Sequence, residues 1–210
     1  MPVQQNQDIK GFTLLELLVV ITIVIIISAV GYPKFSSWKK DRDVRVASEN
    51  IANMINGIVS QSKRGSFPFV QLHVTAKADG TGDKIFETRG MSQSKFVKKR
   101  ATLLNSCPKE TDNWDKLKVH TYNADVKVNI SGEGTVCFSK DTTFYYADYK
   151  LDKKDYIILC HQTEDKSLDP PEAPRNQCKD KPEKPAYKVE WNRFGGVTQY
   201  KWSGSGWTNL

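Results

Sequence analysis

Few side chains in this sequence are spaced for chemistry, and the one that stands out is a carboxylate in apolar surroundings. Residues 12–30 read FTLLELLVVITIVIIISAV, and Glu16 is their only charge. A carboxylate in hydrocarbon costs roughly 2.5–3.5 kcal/mol on insertion scales, so something must neutralise it. The three histidines, His73, His120 and His161, are scattered. They form neither an HExxH pair nor part of a nucleophile elbow, and they read as structural or exposed. Asp79 and Asp83 in ADGTGDK could offer oxygens to calcium, but the rest of an EF-hand pattern is missing and a solvated turn accounts for them better. The expectation is a non-enzymatic chain with no catalytic residues, no cofactor and no metal site.

Cys107, Cys137, Cys160 and Cys178 form an even set with no CxxC pair and no histidine at zinc-finger spacing, which favours disulfides over metal. Four cysteines allow three pairings. Loop logic favours Cys160 with Cys178, closing the proline-rich stretch 168–177, and leaves Cys107 with Cys137. Such bonds imply an oxidising location outside the cytoplasm. The formal net charge of +7 permits acidic partners such as nucleic acid, anionic lipid or acidic polysaccharide. The densest basic run is KFVKKR, in which Lys98, Lys99 and Arg100 could neutralise phosphates beside an aromatic ring. A solvated loop face is the plainer account of it. Tyr145, Tyr146, Tyr149, Trp191, Tyr200, Trp202 and Trp207 could anchor a subunit contact, although most read as sheet core.

Two kinds of element must position these groups. The run 12–30 has about the length of a membrane-crossing helix. Gly31 and Pro33 follow it, and Pro33 lacks an amide hydrogen, so the helix should kink or loosen just before it. Beyond, Phe35, Trp38, Val44, Ala47, Ile51, Met54, Ile55 and Ile58 recur at three-and-four spacing, which predicts an amphipathic helix ending near Arg64 and Gly65. From there short alternating runs take over: FPFVQLHVT, KLKVHTY, DVKVNI, TVCFS, TTFYYADY, DYIILCH, YKVEW and GVTQYKW. Turn residues at 79–83, 132–134, 140–141 and 195–196 separate them. The fold class expected is α+β, a long N-terminal helix packed on an antiparallel β-sheet head.

Lys10 and Gly11, followed by Phe12, Thr13, Leu14, Leu15 and Glu16, resemble the class III signal of type IV pilins and type II secretion pseudopilins. The resemblance implies a leader over residues 1–11, cut by prepilin peptidase between Gly11 and Phe12, and methylation of Phe12. It also implies a membrane and assembly helix over 12–33, a stalk-and-head helix over 34–65, and a β-rich head over 66–210. The amino group of Phe12 would then be a cation that Glu16 can neutralise, in the same or a neighbouring subunit. A subunit one step out of register leaves two charges unmatched. Proline near Pro33 is common in this family.

The stretches TVCFSKDTTFYY and YKVEWNRFGGVTQYKWSGSGW resemble the GspH and FimT group of minor pilins and pseudopilins. That resemblance implies a minor subunit initiating or capping a pilus or secretion filament. Implied partners are other pilin subunits, the peptidase and an inner-membrane assembly platform. Implied location is the inner membrane with the head outside, then a periplasmic or surface filament. Some FimT-like proteins bind DNA through an arginine pair after glycine in the terminal region. Here Gly195 and Gly196 lead into Val197, Thr198 and Gln199, with Arg193 before and Lys201 after, so the arginine pair is missing. A DNA-binding pilin and a major shaft pilin are the rival readings. One pattern opposes the outside location. Lys34, Lys39, Lys40 and Arg42 follow the apolar run, whereas Asp8 and Lys10 precede it, and the positive-inside rule would put the basic side in the cytoplasm.

Overall fold

The apolar run and the amphipathic stripe belong to one continuous helix. The computed structural model describes residues 12–76, 84–103, 107–108, 112, 114–115, 121–123, 128–140, 145–149, 155–161, 178 and 182–210. Helix α1 spans Leu14–Lys63. It starts after Thr13, whose hydroxyl accepts the backbone N–H of Glu16 at 3.2 Å, the N-cap bond that satisfies one orphan donor of the first turn. It ends in a Schellman closure. Ser66 N–H donates to the Gln61 carbonyl and Gly65 N–H to that of Ser62. Gly65 takes φ 83°, a left-handed conformation that glycine adopts without a Cβ penalty. The predicted end near Arg64 and Gly65 therefore holds, with a stated cause. Gly31 and Pro33 do not end the helix, which runs through both.

The chain divides into two compact units, Met1–Lys39 and Lys40–Leu210. In the first, every described side chain from Phe12 to Ser28 is exposed. Among the described residues no helix segment is long and apolar enough to cross a membrane. Described side chains stop at Ser28 and resume at Lys34.

The second unit is α+β, and its strands form two sheets rather than the single one expected. Strands β1 (Phe69–Ala76), β2 (Lys84–Met91), β3 (Thr121–Asn123), β4 (Val128–Ile130), β5 (Gly134–Ser139) and β6 (Tyr145–Tyr149) come first. Strands β7 (Tyr156–His161), β8 (Ala186–Trp191), β9 (Val197–Trp202) and β10 (Trp207–Asn209) complete the set. The first sheet has order β3-β2-β1-β5-β6 and the second β10-β9-β8-β7-β4, with every pairing antiparallel. The chain changes sheet in the glycine-bearing turn after β4. Ser131 still pairs with Ile158, its hydroxyl accepting the Ile158 N–H at 3.0 Å, while β5 three residues later pairs with β1.

The second half of α1 lies between these sheets in packing terms. Val44, Ala47, Ile51, Ile55 and Ile58 share one cluster with Val70, Leu72 and Phe138 of the first sheet and Ile157, Leu159, Tyr187 and Val189 of the second. Period two in the strands puts alternate residues on that face. Burying one such isoleucine contributes about 1.5–3 kcal/mol, so the stripe binds both sheets to one helix.

The outer face of each sheet has its own small core, and each holds one disulfide. On the first, Phe69, Met91 and Cys137 pack with Leu103, Cys107 and Trp114, the Trp114 ring stacked on Phe69 at 5.7 Å. Leu103 closes a second helix, α2 (Gln93–Leu103), so the KFVKKR run is helical and not the loop expected. Phe96 turns toward this core while Val97, Lys98 and Arg100 remain exposed. On the second sheet, Ile158, Cys160, Ala186 and Trp202 pack with Cys178. The bonds are Cys107–Cys137 and Cys160–Cys178, with Cα–Cα distances of 5.9 and 5.6 Å. This is the pairing that loop logic favoured.

Candidate functional site

The N-terminal turn of α1 gathers the residues that the sequence singled out. Thr13 is the N-cap and Glu16 sits three residues on, at the position where a carboxylate also complements the positive end of the helix dipole. Phe12 directly precedes the cap and is 84% exposed. Phe12 thus stands just outside the helix end whose first turn carries Glu16. Gly11 falls outside the described residues. From Leu14 to Ile27 the exposed side chains are apolar apart from Glu16 and Thr22, and Thr22 turns its hydroxyl back to the Leu18 carbonyl at 2.8 Å. This segment therefore presents hydrocarbon around its circumference with one carboxylate at its tip. Such a surface has no chemistry of its own except to be covered.

A second set of polar residues lies where α1 enters the head, and sequence reasoning missed most of it. The Tyr187 hydroxyl lies 3.1 Å from both carboxylate oxygens of Asp41, and Lys201 Nζ lies 2.9 Å from Asp41 Oδ1. The Lys201 ammonium also sits 5.5 Å from the centre of the Tyr187 ring. Its hydrogen bond to Asp41 pushes the Lys201 pKa up, and burial pushes that of the Tyr187 phenol up. Two turns along the helix, the Ser48 hydroxyl donates to the Arg45 carbonyl at 2.8 Å and lies 3.3 Å from Gln199 Oε1. Asp41 and Tyr187 stand 146 positions apart, and no local pattern links them. The clasp joins helix to sheet.

The glycine turn between β8 and β9 serves the same junction. Gly195 has φ 76°, and a Cβ there would stand 2.4 Å from Val59 Cγ1 of α1. Asn192 Oδ1 accepts the N–H groups of Phe194 and Gly196, which closes the turn.

The basic residues named from the sequence are not gathered into one patch. Lys98, Lys99 and Arg100 belong to α2, on the outer side of the first sheet. Arg193 and Lys201 belong to the β8–β9 hairpin of the second. Arg193 lies 5.5 Å from the Phe194 ring centre, and Lys201 is engaged by Asp41. Lys95 is bound as well, at 2.8 Å from Asp115 Oδ1, and Asp115 Oδ2 accepts the Ser92 N–H at 2.7 Å. Those two bonds hold the Asp115 carboxyl below its ordinary range.

His73 and His161 lie on β1 and β7, while His120, Asp79 and Asp83 fall outside the described residues. Among the described residues no three His, Cys, Asp or Glu are placed to hold a metal ion. A groove of about 320 Å³ runs along α1 beside β2 and β3, lined by Met54, Gly57, Ile58, Thr88 and Tyr122 among others, and its lining carries no charged side chain.

Residues 6–32 match the prokaryotic N-terminal methylation motif. The match spans the Gly11–Phe12 bond, the Thr13 cap and Glu16, and stops short of Pro33. No curated protein and no solved structure matches the chain.

Proposed function

We propose that this protein is a type IV pilin-like subunit, built into a filament through the N-terminal part of α1. Prepilin peptidase cuts the Gly11–Phe12 bond, Phe12 is methylated on its new amino group, and the apolar helix stays with the subunit. The observation that carries this reading is a coincidence of position. The methylation motif falls on a Thr13-capped helix end, followed by a segment whose described side chains are exposed and almost all apolar. Apolar surface around a helix has to be covered on every side, by lipid before assembly and by neighbouring helices afterwards. Glu16 then meets the Phe12 amino group of its own or a neighbouring subunit, and the mutual need for a partner sets the axial register.

Within that class the reading is a minor subunit of the GspH and FimT group, which initiates or caps the filament. Two five-stranded sheets and two disulfides make a head larger than a shaft needs. The head lies outside the cytoplasm, where the disulfides persist. Exposed Lys98 and Arg100 on α2 support a second reading, a DNA-binding minor pilin, whereas engagement of Lys201 by Asp41 speaks against the terminal hairpin as the contact. Retardation of duplex DNA at low salt, lost when Lys98, Lys99 and Arg100 become Ala, would establish it, and absence of a shift would exclude it.

Intact mass and N-terminal mapping of the membrane-purified protein, with and without reduction, test the main reading. The expected chain begins at Phe12, carries one added methyl group and gains the mass of four hydrogens on reduction. A chain that keeps Met1 in cells with an active prepilin peptidase, with four free thiols, would overturn it.

A further inference from the structure

The basic residues after the apolar run oppose the positive-inside rule, and their placement on α1 suggests what they do instead. Phe35 and Trp38 are 62% and 55% exposed, with ring centres 5.9 Å apart. Exposed aromatic pairs on a helix are unusual in water. Lys34 and Lys39 are exposed beside them. At 3.6 residues per turn the four side chains fall within an arc of about 140°, with Lys34 four residues before Trp38 and Lys39 four after Phe35. One face of α1 thus carries two rings bracketed by two ammonium groups. From Leu14, the first helical residue, to Lys34 the helix rises about 30 Å, the thickness of a bilayer's hydrocarbon core. The cluster begins where that core would end.

We infer that Lys34, Phe35, Trp38 and Lys39 form an interfacial collar that docks on the phospholipid headgroup layer and sets the depth of the subunit in the membrane before assembly. This rests on the membrane-helix reading of the preceding section. The two rings take the amphipathic boundary zone, where aromatic side chains concentrate. The two ammonium groups reach lipid phosphates and prefer anionic lipid. The occupant follows from charge complementarity and from continuity with the apolar segment. The same collar explains why the translocated side is basic: the cations hold the boundary, and orientation is left to the dedicated N-terminal signal. It also bears on register, because a subunit held at fixed depth presents Glu16 at a fixed height.

The test reconstitutes the processed full-length chain in phosphatidylcholine vesicles, with and without phosphatidylglycerol, containing lipids brominated at defined acyl positions. Trp38 fluorescence is read as the difference between the native chain and Trp38→Phe. The expected result is strong quenching by bromines close to the headgroup and weak quenching by bromines near the chain ends. Phosphatidylglycerol should strengthen the shallow quenching, and Lys34→Gln/Lys39→Gln should abolish that gain while the chain still floats with the vesicles. A floating chain whose Trp38 is quenched by aqueous iodide and by no brominated lipid overturns the collar alone. Deep quenching, or indifference to phosphatidylglycerol, overturns it too. A chain that fails to float overturns the membrane-helix reading and the collar with it.

Discussion

Replacing Asp41 by Ala removes the acceptor at the centre of the clasp and should destabilise the head more than the conservative changes Asp41→Asn or Tyr187→Phe. Tyr187 is 1% exposed, and its hydroxyl faces both oxygens of Asp41 at 3.1 Å. Stranding a buried donor costs about 1–3 kcal/mol. Loss of the half-exposed Lys201 pair adds roughly 0.2–1 kcal/mol. The Asp41 side chain is itself 32% exposed, so water reaches the rim of the clasp and the lower half of the range applies. The expected loss is about 1.5–2 kcal/mol, or about 3–8 °C in the melting temperature of a unit this size. Asp41→Asn keeps an oxygen for Tyr187 and discards only the charge, and should lose about 1 kcal/mol. Tyr187→Phe leaves Asp41 with Lys201 and should lose about as much. Thermal unfolding of the full chain in mild detergent, followed by near-UV circular dichroism, reads all three. The Lys201 pKa is raised in the fold, so its contribution is complete below about pH 10.5 and is lost as pH rises through the folded value. The gap between the native chain and Asp41→Asn should therefore narrow above that pH. Equal stability of native and Asp41→Ala chains would refute the clasp as a source of stability.

Asp115 supplies an acid-side counterpart. Its carboxyl is held below the ordinary range by Lys95 and Ser92, so its contribution is complete above about pH 4 and is lost as pH falls through the folded value. Asp115→Asn should flatten that limb of the acid-unfolding curve, and an unchanged curve would dismiss the bond as a contributor. The two disulfides close separations of 18 and 30 residues, for which chain entropy predicts losses of about 3 and 3.6 kcal/mol on removal. Paired Cys→Ser chains, unfolded in urea, should thus rank Cys107/Cys137 as the costlier loss. Glu16→Ala should leave cleavage at Gly11–Phe12 intact and abolish incorporation into filaments. Cleaved subunits in sheared filaments at native abundance would sink the register argument.

The elements that local chemistry specifies were legible in the order of residues. Glu16 in an apolar run starting at Phe12 needed no tertiary information, because a charge among apolar neighbours is visible in the order of residues; the Thr13 cap was added by the structure. The end of α1 at Gly65 and the β8–β9 turn at Gly195 were legible for the same reason. Even the disulfide pairing followed from loop lengths. Helix α2 was not, because QSKFVKKRATL offers only Phe96 and Leu103 to a core, and it is the outer face of the first sheet with Trp114 that gives those side chains somewhere to go. Strand β2 was missed because its alternate buried positions are Phe86, Thr88 and Gly90, too weakly apolar to show as an alternating run, and its place is set by pairing with β1.

Sequence alone therefore determined that this chain carries an apolar helix with one carboxylate, a second helical stripe and an antiparallel, disulfide-bonded head. Tertiary structure decided that the strands part into two sheets around that stripe, and that Asp41 is held by Tyr187 and Lys201 from 146 and 160 positions away. The division follows from range: caps, turns and periodicity are settled by neighbours in the chain, whereas a sheet's partners and a buried hydroxyl's acceptor are settled only when distant segments compete for the same face of one helix.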